Sequence, residues 1–165
     1  MHQQQVVARW FLLKTAILMK QLDEIIFDAI RSDADIMQSL GGRIVSTCFE
    51  VAPDESDKTE LPCIIVTDDG FNNSPETKDS TWEGMEDHVQ SSVEVDGRSP
   101  KEVKNLLCMC RAAVARYVRS MADDGEEIPY LVSIQSAGVA WDWLKPCYHS
   151  TLTYTCITER PWMIH

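Results

Sequence analysis

Residues 99–121 read SPKEVKNLLCMCRAAVARYVRSM, and the other elements of the chain can be placed around them. Ser99 is a preferred N-cap, Pro100 suits the first helical position, and Glu102 completes a capping box. Apolar side chains then recur every three or four residues and form one stripe. The stripe comprises Val103, Leu106, Leu107, Cys110, Val114, Tyr117, Val118 and Met121. The segment therefore predicts a helix of about five turns that buries one face against the rest of the domain.

Strands are predicted on both sides of this helix. Upstream, residues 85–96 alternate valine with polar side chains, the period of two that is typical of a strand. Downstream, residues 130–141 and 147–158 predict two more strands, which are joined at a turn that contains Lys145 and Pro146.

The first half of the chain predicts a helix, a turn and two strands. Residues 22–30 carry leucine and isoleucine at helical spacing and predict an amphipathic helix. Residues 36–40 are predicted as a short turn, and the glycine pair that follows permits a sharp bend into a strand over residues 43–51. Residues 61–66 are an apolar run that predicts a central strand, in which proline is tolerated only at the start. Residues 68–83 are predicted as a long polar loop.

These elements predict an α+β fold in the order α-β-β-β-α-β-β. Short connections favour antiparallel pairing, and two main helices can cover only one face of a sheet of about five strands. The other face carries mostly Thr, Ser, His, Gln and Trp side chains, so we expect it to be solvated or packed against a neighbouring subunit. We expect a single domain over residues 21–160, with residues 1–20 as an N-terminal extension or the start of the first helix. Residues 161–165 are expected to form a C-terminal tail.

The composition is that of one soluble, acidic domain. The chain has 165 residues, and its formal net charge is −11. Residues 50–87 hold twelve acidic side chains against two basic ones, so nearly all of the surplus lies there. Such a balance argues against non-specific nucleic-acid binding, which needs clustered Lys and Arg. The apolar run within the first nineteen residues is interrupted by Lys14 and is too short and too charged to span a bilayer. We therefore expect a protein that is neither secreted nor bound to a membrane.

Chemistry-bearing residues are few and scattered. The six cysteines lie in or beside apolar runs and contain no Cys-x-x-Cys pair, so we expect reduced, mostly buried thiols. Cys147 and His149 share one strand face but lack a third ligand for a metal, and His88 is expected at a surface or interface. Phosphate-binding glycine motifs and Gly-x-Ser-x-Gly are absent from the sequence. We expect no enzyme activity, no cofactor and no metal, although a cysteine nucleophile near His149 or His88 remains an alternative.

The order of motifs resembles the tail terminator, or tail-completion, family of long-tailed bacteriophages. The resemblance rests on Gly-Gly-Arg-Ile at residues 41–44, Leu-Pro-Cys-Ile-Ile-Val at residues 61–66 and alternating valines at residues 89–95. The capped helix from Ser99 and two closing strands complete the pattern, which covers roughly residues 22–158.

The resemblance implies a virion structural protein. Such proteins form a homo-oligomeric ring, commonly a hexamer, that caps the tail tube and joins it to the head–tail connector. DNA passes through the ring without specific binding, and assembly takes place in the cytoplasm of the host bacterium. A neck or head-completion protein of the same phage is the first alternative. A small cytosolic cysteine-dependent enzyme or regulatory module is the second.

Two sets of residues are candidates for contacts in such a ring. Apolar side chains in polar surroundings often become contact anchors, and an acidic wall would repel the phosphates of passing DNA. The predicted subunit or tail-tube interface comprises Phe71, Trp82, Met85, Trp141 and Trp143. The predicted acidic channel or rim comprises Asp54, Glu55, Asp57, Asp68 and Asp69.

Overall fold

The computed structural model describes residues 20–43, 45–46, 60–73 and 87–158, which form three helices and six strands. The helices are α1 (Leu22–Ser32), α2 (Ala34–Leu40) and α3 (Pro100–Asp123). The strands are β1 (Val45–Ser46), β2 (Cys63–Asn73), β3 (Asp87–Gly97), β4 (Tyr130–Ser136), β5 (Ala140–Asp142) and β6 (Cys147–Thr158). The predicted α+β class is confirmed. The predicted N-terminal extension before Lys20 and the C-terminal tail lie outside the described residues.

The strands form one sheet in the order β1-β2-β3-β6-β4, and β5 pairs with the end of β6 that β4 leaves open. The sheet is therefore five strands wide, as predicted. Every pair is antiparallel except β1 with β2, which is parallel. The prediction of antiparallel pairing was wrong at this edge. The sixteen residues between β1 and β2 are long enough for the crossover that a parallel pair requires.

Strand β2 continues well past the end that the sequence predicted. A bulge between Asp68 and Gly70 takes up one extra residue, and pairing with β3 then resumes as far as Asn73. Gly70 has a φ of 82°, which a glycine adopts without strain, and Asp68 Oδ1 accepts a hydrogen bond from its N–H at 2.8 Å. The polar loop predicted to begin at residue 68 is therefore strand as far as Asn73.

The turn predicted over residues 36–40 is instead the helix α2. Asp33 caps it, since its Oδ1 accepts hydrogen bonds from the backbone N–H groups of Asp35 and Ile36 at 3.1 and 3.0 Å. Gly41, with a φ of 60°, ends it in the left-handed conformation. A second departure lies beyond α3, where the single strand predicted over residues 130–141 is divided into β4 and β5.

The hydrophobic core lies between the helices and one face of the sheet. Helices α1 and α3 pack there against alternate residues of the central strands, such as Val66, Val93 and Leu152. Fully buried residues include Ile26 and Ile30 of α1. Among the described elements, no helix packs on the opposite face, so the expected one-sided arrangement is confirmed.

Candidate interaction surfaces

The uncovered face of the sheet is a hydrogen-bonded polar surface. Ser92 Oγ lies 3.0 Å from Thr153 Oγ1, and Gln90 Nε2 donates to Thr155 Oγ1 at 3.3 Å. Asp69 leans over this face, since its carboxylate accepts hydrogen bonds from the hydroxyls of Ser92 and Thr67. Because these polar groups are satisfied within the chain, the face is suited to solvent or to a polar partner.

The uncovered face also contains an ionic cluster centred on Asp96. The side chain of Asp96 is only 8% exposed, and its carboxylate lies 2.5 Å from His149 Nδ1 and 3.5 Å from Lys145 Nζ. Thr151 Oγ1 lies 3.3 Å from His149 Nε2. Burial alone would lower the pKa of Lys145, but the carboxylates of Asp96 and Glu94 outweigh it and raise that pKa. The cluster satisfies a nearly buried carboxylate and fixes the orientation of the imidazole.

Four of the five described thiols differ from activated nucleophiles. Burial raises the pKa of Cys147 and Cys156 to about 11 and that of Cys110 to about 12. Burial also raises the pKa of Cys63. A reactive cysteine needs a depressed pKa, which a nearby cation or a helix N-terminus supplies. Within the described part of the chain, no group of three or more Cys, His, Asp or Glu side chains could hold a metal ion.

The most exposed apolar side chains lie in the turn between β5 and β6. We call Trp141, Trp143 and Leu144 the tryptophan tip. Trp143 is 87% exposed and Leu144 is 95% exposed, whereas Trp141 packs edge-on against Tyr148 with ring centroids 4.9 Å apart. Trp141 also contacts Trp143, at 6.1 Å between centroids. One aromatic ring thus anchors the turn to the domain while the next two apolar side chains point outward.

The tip is held in shape by a carboxylate within it. Asp142 Oδ1 accepts hydrogen bonds from the backbone N–H groups of Leu144 at 2.8 Å and Lys145 at 3.3 Å. These bonds, that of Leu144 foremost, lower the pKa of Asp142. The exposed side chains therefore stand on an ordered turn, which reduces the entropy that a partner would have to remove on binding.

A second apolar surface lies at the other end of the sheet, at the start of β4. Tyr130 is 73% exposed, and Leu131 and Val132 are nearly half exposed. Phe71 is 58% exposed, and the strand register aligns it with Leu131 across the two intervening strands, β3 and β6. The sequence analysis did not single out the β4 residues or Leu144, because it predicted a strand over residues 130–141 and a turn after it without predicting which of their side chains are exposed. Tyr130–Ser136 carries no charge, a pattern that is equally typical of a buried strand, so no sequence signal marked its exposure.

The structure separates the predicted site residues into three groups. Trp141 and Trp143 lie together in the tryptophan tip, and Phe71 lies in the second apolar surface, at the opposite end of the sheet. Asp68 and Asp69 are exposed; Asp69 is the extra residue of the bulge in β2, and Asp68 precedes it. The remaining predictions fall outside the described residues. They are Trp82 and Met85 of the interface set and Asp54, Glu55 and Asp57 of the acidic set.

Comparisons with known proteins find a likeness among solved structures. No protein-family model matches the sequence, and no curated protein matches it. Among solved structures, the chain is similar to a chain from the virion of a native gene transfer agent (GTA) particle, with 12% sequence identity and a TM-score of 0.41. The match covers 84% of this chain and 95% of that chain. A likeness with so low a TM-score carries no argument about function. None of the described helices is long and apolar enough to cross a membrane.

Proposed function

We propose that this chain is a virion structural protein that assembles with copies of itself into a ring. In the form that the resemblance to tail terminators suggests, the ring caps the tail tube and presents a surface to the head–tail connector. DNA passes through its centre without specific contacts. The subunits act by binding one another and catalyse no reaction.

The observation that carries the proposal is the exposure of large apolar side chains on an ordered framework. Trp143, Leu144 and Tyr130 are each more than two-thirds exposed. Trp143 and Leu144 stand on a turn held by Asp142, and Tyr130 begins a paired strand. Grouped apolar side chains of this size commonly mark protein–protein contacts, and Trp and Tyr are enriched among the residues that dominate binding energy. A subunit with such groups at both ends of its sheet is suited to meet more than one neighbour.

The charge distribution supports the proposal that DNA passes through the ring without specific contacts. The chain carries a formal net charge of −11, and most of that surplus lies in residues 50–87. A ring built from such subunits would present negative potential to duplex DNA, and the repulsion would keep the phosphates from binding to the wall. Asp68 and Asp69 are the described members of the proposed acidic rim, and both are exposed.

The thiol chemistry disfavours the cysteine-dependent enzyme as an alternative. A nucleophilic cysteine next to His149 would need Nε2 of that imidazole as its base, because Asp96 engages Nδ1, but Nε2 lies 3.3 Å from the hydroxyl of Thr151. Cys147, two residues away, has a pKa raised to about 11 and is almost entirely buried. Treating the native chain with a thiol-blocking reagent is therefore expected to leave its assembly unchanged.

Electron microscopy tests the function directly. Negatively stained preparations of the purified chain are expected to show closed rings with a central hole. Gold-labelled antibody against the chain is expected to mark the junction of head and tail in intact virions. Label on the head vertex without the tail would instead indicate the neck or head-completion alternative. A chain that is absent from purified virions would contradict any structural role.

A further inference from the structure

A pocket lies at the same end of the molecule as the tryptophan tip. It has a volume of about 380 Å³ and opens between α2, the start of β2 and the first turns of α3. Leu106 and Pro62 are buried at its base, and Met109 is half-buried. Ser39 and Asn105 contribute polar groups to the lining. The pocket therefore offers apolar surface surrounded by hydrogen-bonding groups, as sites that receive an aromatic anchor usually do.

The sheet register places the strands that adjoin the pocket and the tip at one level and three strands apart. Pro62 lines the pocket and is followed by Cys63 of β2. From Cys63 the register runs to Asp96 of β3, then to His149 of β6 and then to Ala140 of β5. The pocket thus adjoins β2, and the tip continues from β5, three strands away. At about 4.8 Å between neighbouring strands, the two strands are separated by roughly 14 Å. Trp143 and Leu144 do not line the pocket of their own chain, and both are almost fully exposed.

We propose that the tryptophan tip of one subunit inserts Trp143 and Leu144 into this pocket of a second copy. A contact between a projection and a pocket at different places on the subunit is heterologous, and it builds a ring where the rotation that repeats it closes. Because both features lie at the same end of the sheet, an axis parallel to the strands would bring them to the same height. The inference rests on the proposed ring and names the surfaces through which its subunits meet.

Charge favours a second copy as the occupant. Two chains of net charge −11 repel one another, so they can meet closely only where that charge is absent. Six of the eight residues that line the pocket are uncharged, and the other two, Lys101 and Glu102, cancel. In the turn, Trp143, Leu144 and Pro146 are uncharged, and the charges of Asp142 and Lys145 cancel. The contact therefore joins two of the neutral areas of an acidic subunit.

Disulfide trapping tests the contact. In a background with Cys48→Ser, Cys63→Ser and Cys108→Ser, which removes the described thiols that are not buried and one thiol outside the described residues, the pair Leu144→Cys and Asn105→Cys is introduced into one chain. Mild oxidation is expected to give a ladder of covalent oligomers that ends at the closed ring. A mixture of the two single variants is expected to give dimers only. The matched control replaces Asn105→Cys with Lys104→Cys, at an exposed α3 position that does not line the pocket, and is expected to give at least tenfold less product.

The outcomes separate this contact from the ring itself. Cross-linked dimers of the Leu144→Cys variant alone would show that tips meet tips, and a bond within one chain would show that the tip folds back. Either result overturns the contact. Absence of the ladder from a preparation that light scattering shows to be oligomeric also overturns it, but leaves the ring in place. Absence of the ladder from a monomeric preparation counts against both.

A substitution at the tip supplies a second readout. Trp143→Ser is expected to raise the concentration at which subunits dissociate by at least tenfold, because the variant loses the largest apolar group of the contact. The thermal unfolding midpoint of the dissociated subunit is expected to stay the same, since the side chain of Trp143 is mostly exposed to solvent within its own chain. An unchanged dissociation concentration would overturn the contact.

Discussion

At the scale of single residues, the hydroxyl of Tyr154 is the buried polar atom that lacks a partner within the described part of the chain. Burial raises the pKa of that hydroxyl, as expected for a group whose charged form would be poorly solvated. An unsatisfied buried polar group costs about 1–3 kcal/mol, whereas a well-packed apolar replacement of the same shape is neutral or stabilising.

Tyr154→Phe is therefore expected to leave the free energy of unfolding unchanged or to raise it by about 1 kcal/mol. Ser91 is the matched control, because it pairs with Tyr154 across the strands and its Oγ donates to Thr67 O at 2.7 Å. Ser91→Ala is expected to lower the free energy of unfolding by about 1 kcal/mol. Urea denaturation measures both variants. A loss of more than about 1 kcal/mol in Tyr154→Phe would show that the hydroxyl has a partner.

Asp33 performs two tasks that substitution can separate. Its Oδ1 caps α2, and its Oδ2 accepts a hydrogen bond from Arg116 of α3 at 2.5 Å. Asp33→Ala removes both and is expected to lower the free energy of unfolding by about 1–2 kcal/mol. Asp33→Asn keeps a good cap and loses only the ion pair, for which about 0–1 kcal/mol is expected because Arg116 is largely exposed. Equal losses in the two variants would contradict this division.

At the scale of elements, the start of α3 is defined by a side-chain cap. Ser99 Oγ accepts a hydrogen bond from the backbone N–H of Glu102 at 3.2 Å. The return bond of the expected capping box goes instead to Arg98, whose N–H donates to Glu102 Oε2 at 2.6 Å. The Ser99 cap thus satisfies one of the free N–H groups of the first turn, and Glu102 holds the backbone of Arg98, the residue before the cap.

Ser99→Ala is expected to lower the free energy of unfolding by about 1 kcal/mol, because an N–H group of the first turn loses its acceptor. Ser120→Ala lies in the exposed last turns of the same helix and serves as the control. It is expected to have no effect or a small stabilising one, since alanine has the higher helix propensity. Thermal unfolding followed by circular dichroism compares the two. A Ser99→Ala variant as stable as the natural chain would show that the cap contributes nothing.

Local sequence patterns predicted the elements that are defined by a periodic signal within their own segment. The stripe and cap of α3 and the alternation of β3 and β6 are periodic signals, and each appears in the structure at nearly the predicted position. The extension of β2 was missed, because it depends on a bulge that a single glycine accommodates. Helix α2 was missed, because its seven residues are too few for a periodic pattern. The parallel pairing of β1 depends on contacts between distant segments, which no local pattern records.

The candidate surfaces were predicted in the same uneven way. Trp141 and Trp143 stood out as aromatic residues beside polar ones, and both are exposed in the structure. Tyr130 and Leu144 did not stand out, because exposure of an apolar strand or turn depends on which elements happen to cover it. The pocket that Leu106 and Met109 line was also beyond the sequence, since it exists only where α2, α3 and β2 meet.

At the scale of the whole molecule, the buried thiols make stability depend on pH. The pKa values of Cys110, Cys147 and Cys156 are raised from 9.0 to about 12, 11 and 11. A raised pKa means that folding favours the neutral thiol. This contribution is complete below about pH 9 and is lost as the pH rises through the folded-state values.

The urea midpoint is therefore expected to be constant from neutral pH to about pH 9 and to fall above it. Cys156→Ala is expected to begin with a lower midpoint and to show a shallower fall, because one titrating thiol has been removed. Reducing agent is present throughout, so that disulfide formation does not contribute. A midpoint that stays constant or rises to about pH 11 would contradict the assignment.

The central claim is that this chain acts as a subunit that assembles with copies of itself. Multi-angle light scattering of the purified natural chain, coupled to size exclusion, measures that property with no assumption about shape. The account predicts one species whose mass is a fixed multiple of the 18.7 kDa chain and does not change on moderate dilution. A single species of 18.7 kDa at every concentration would contradict it.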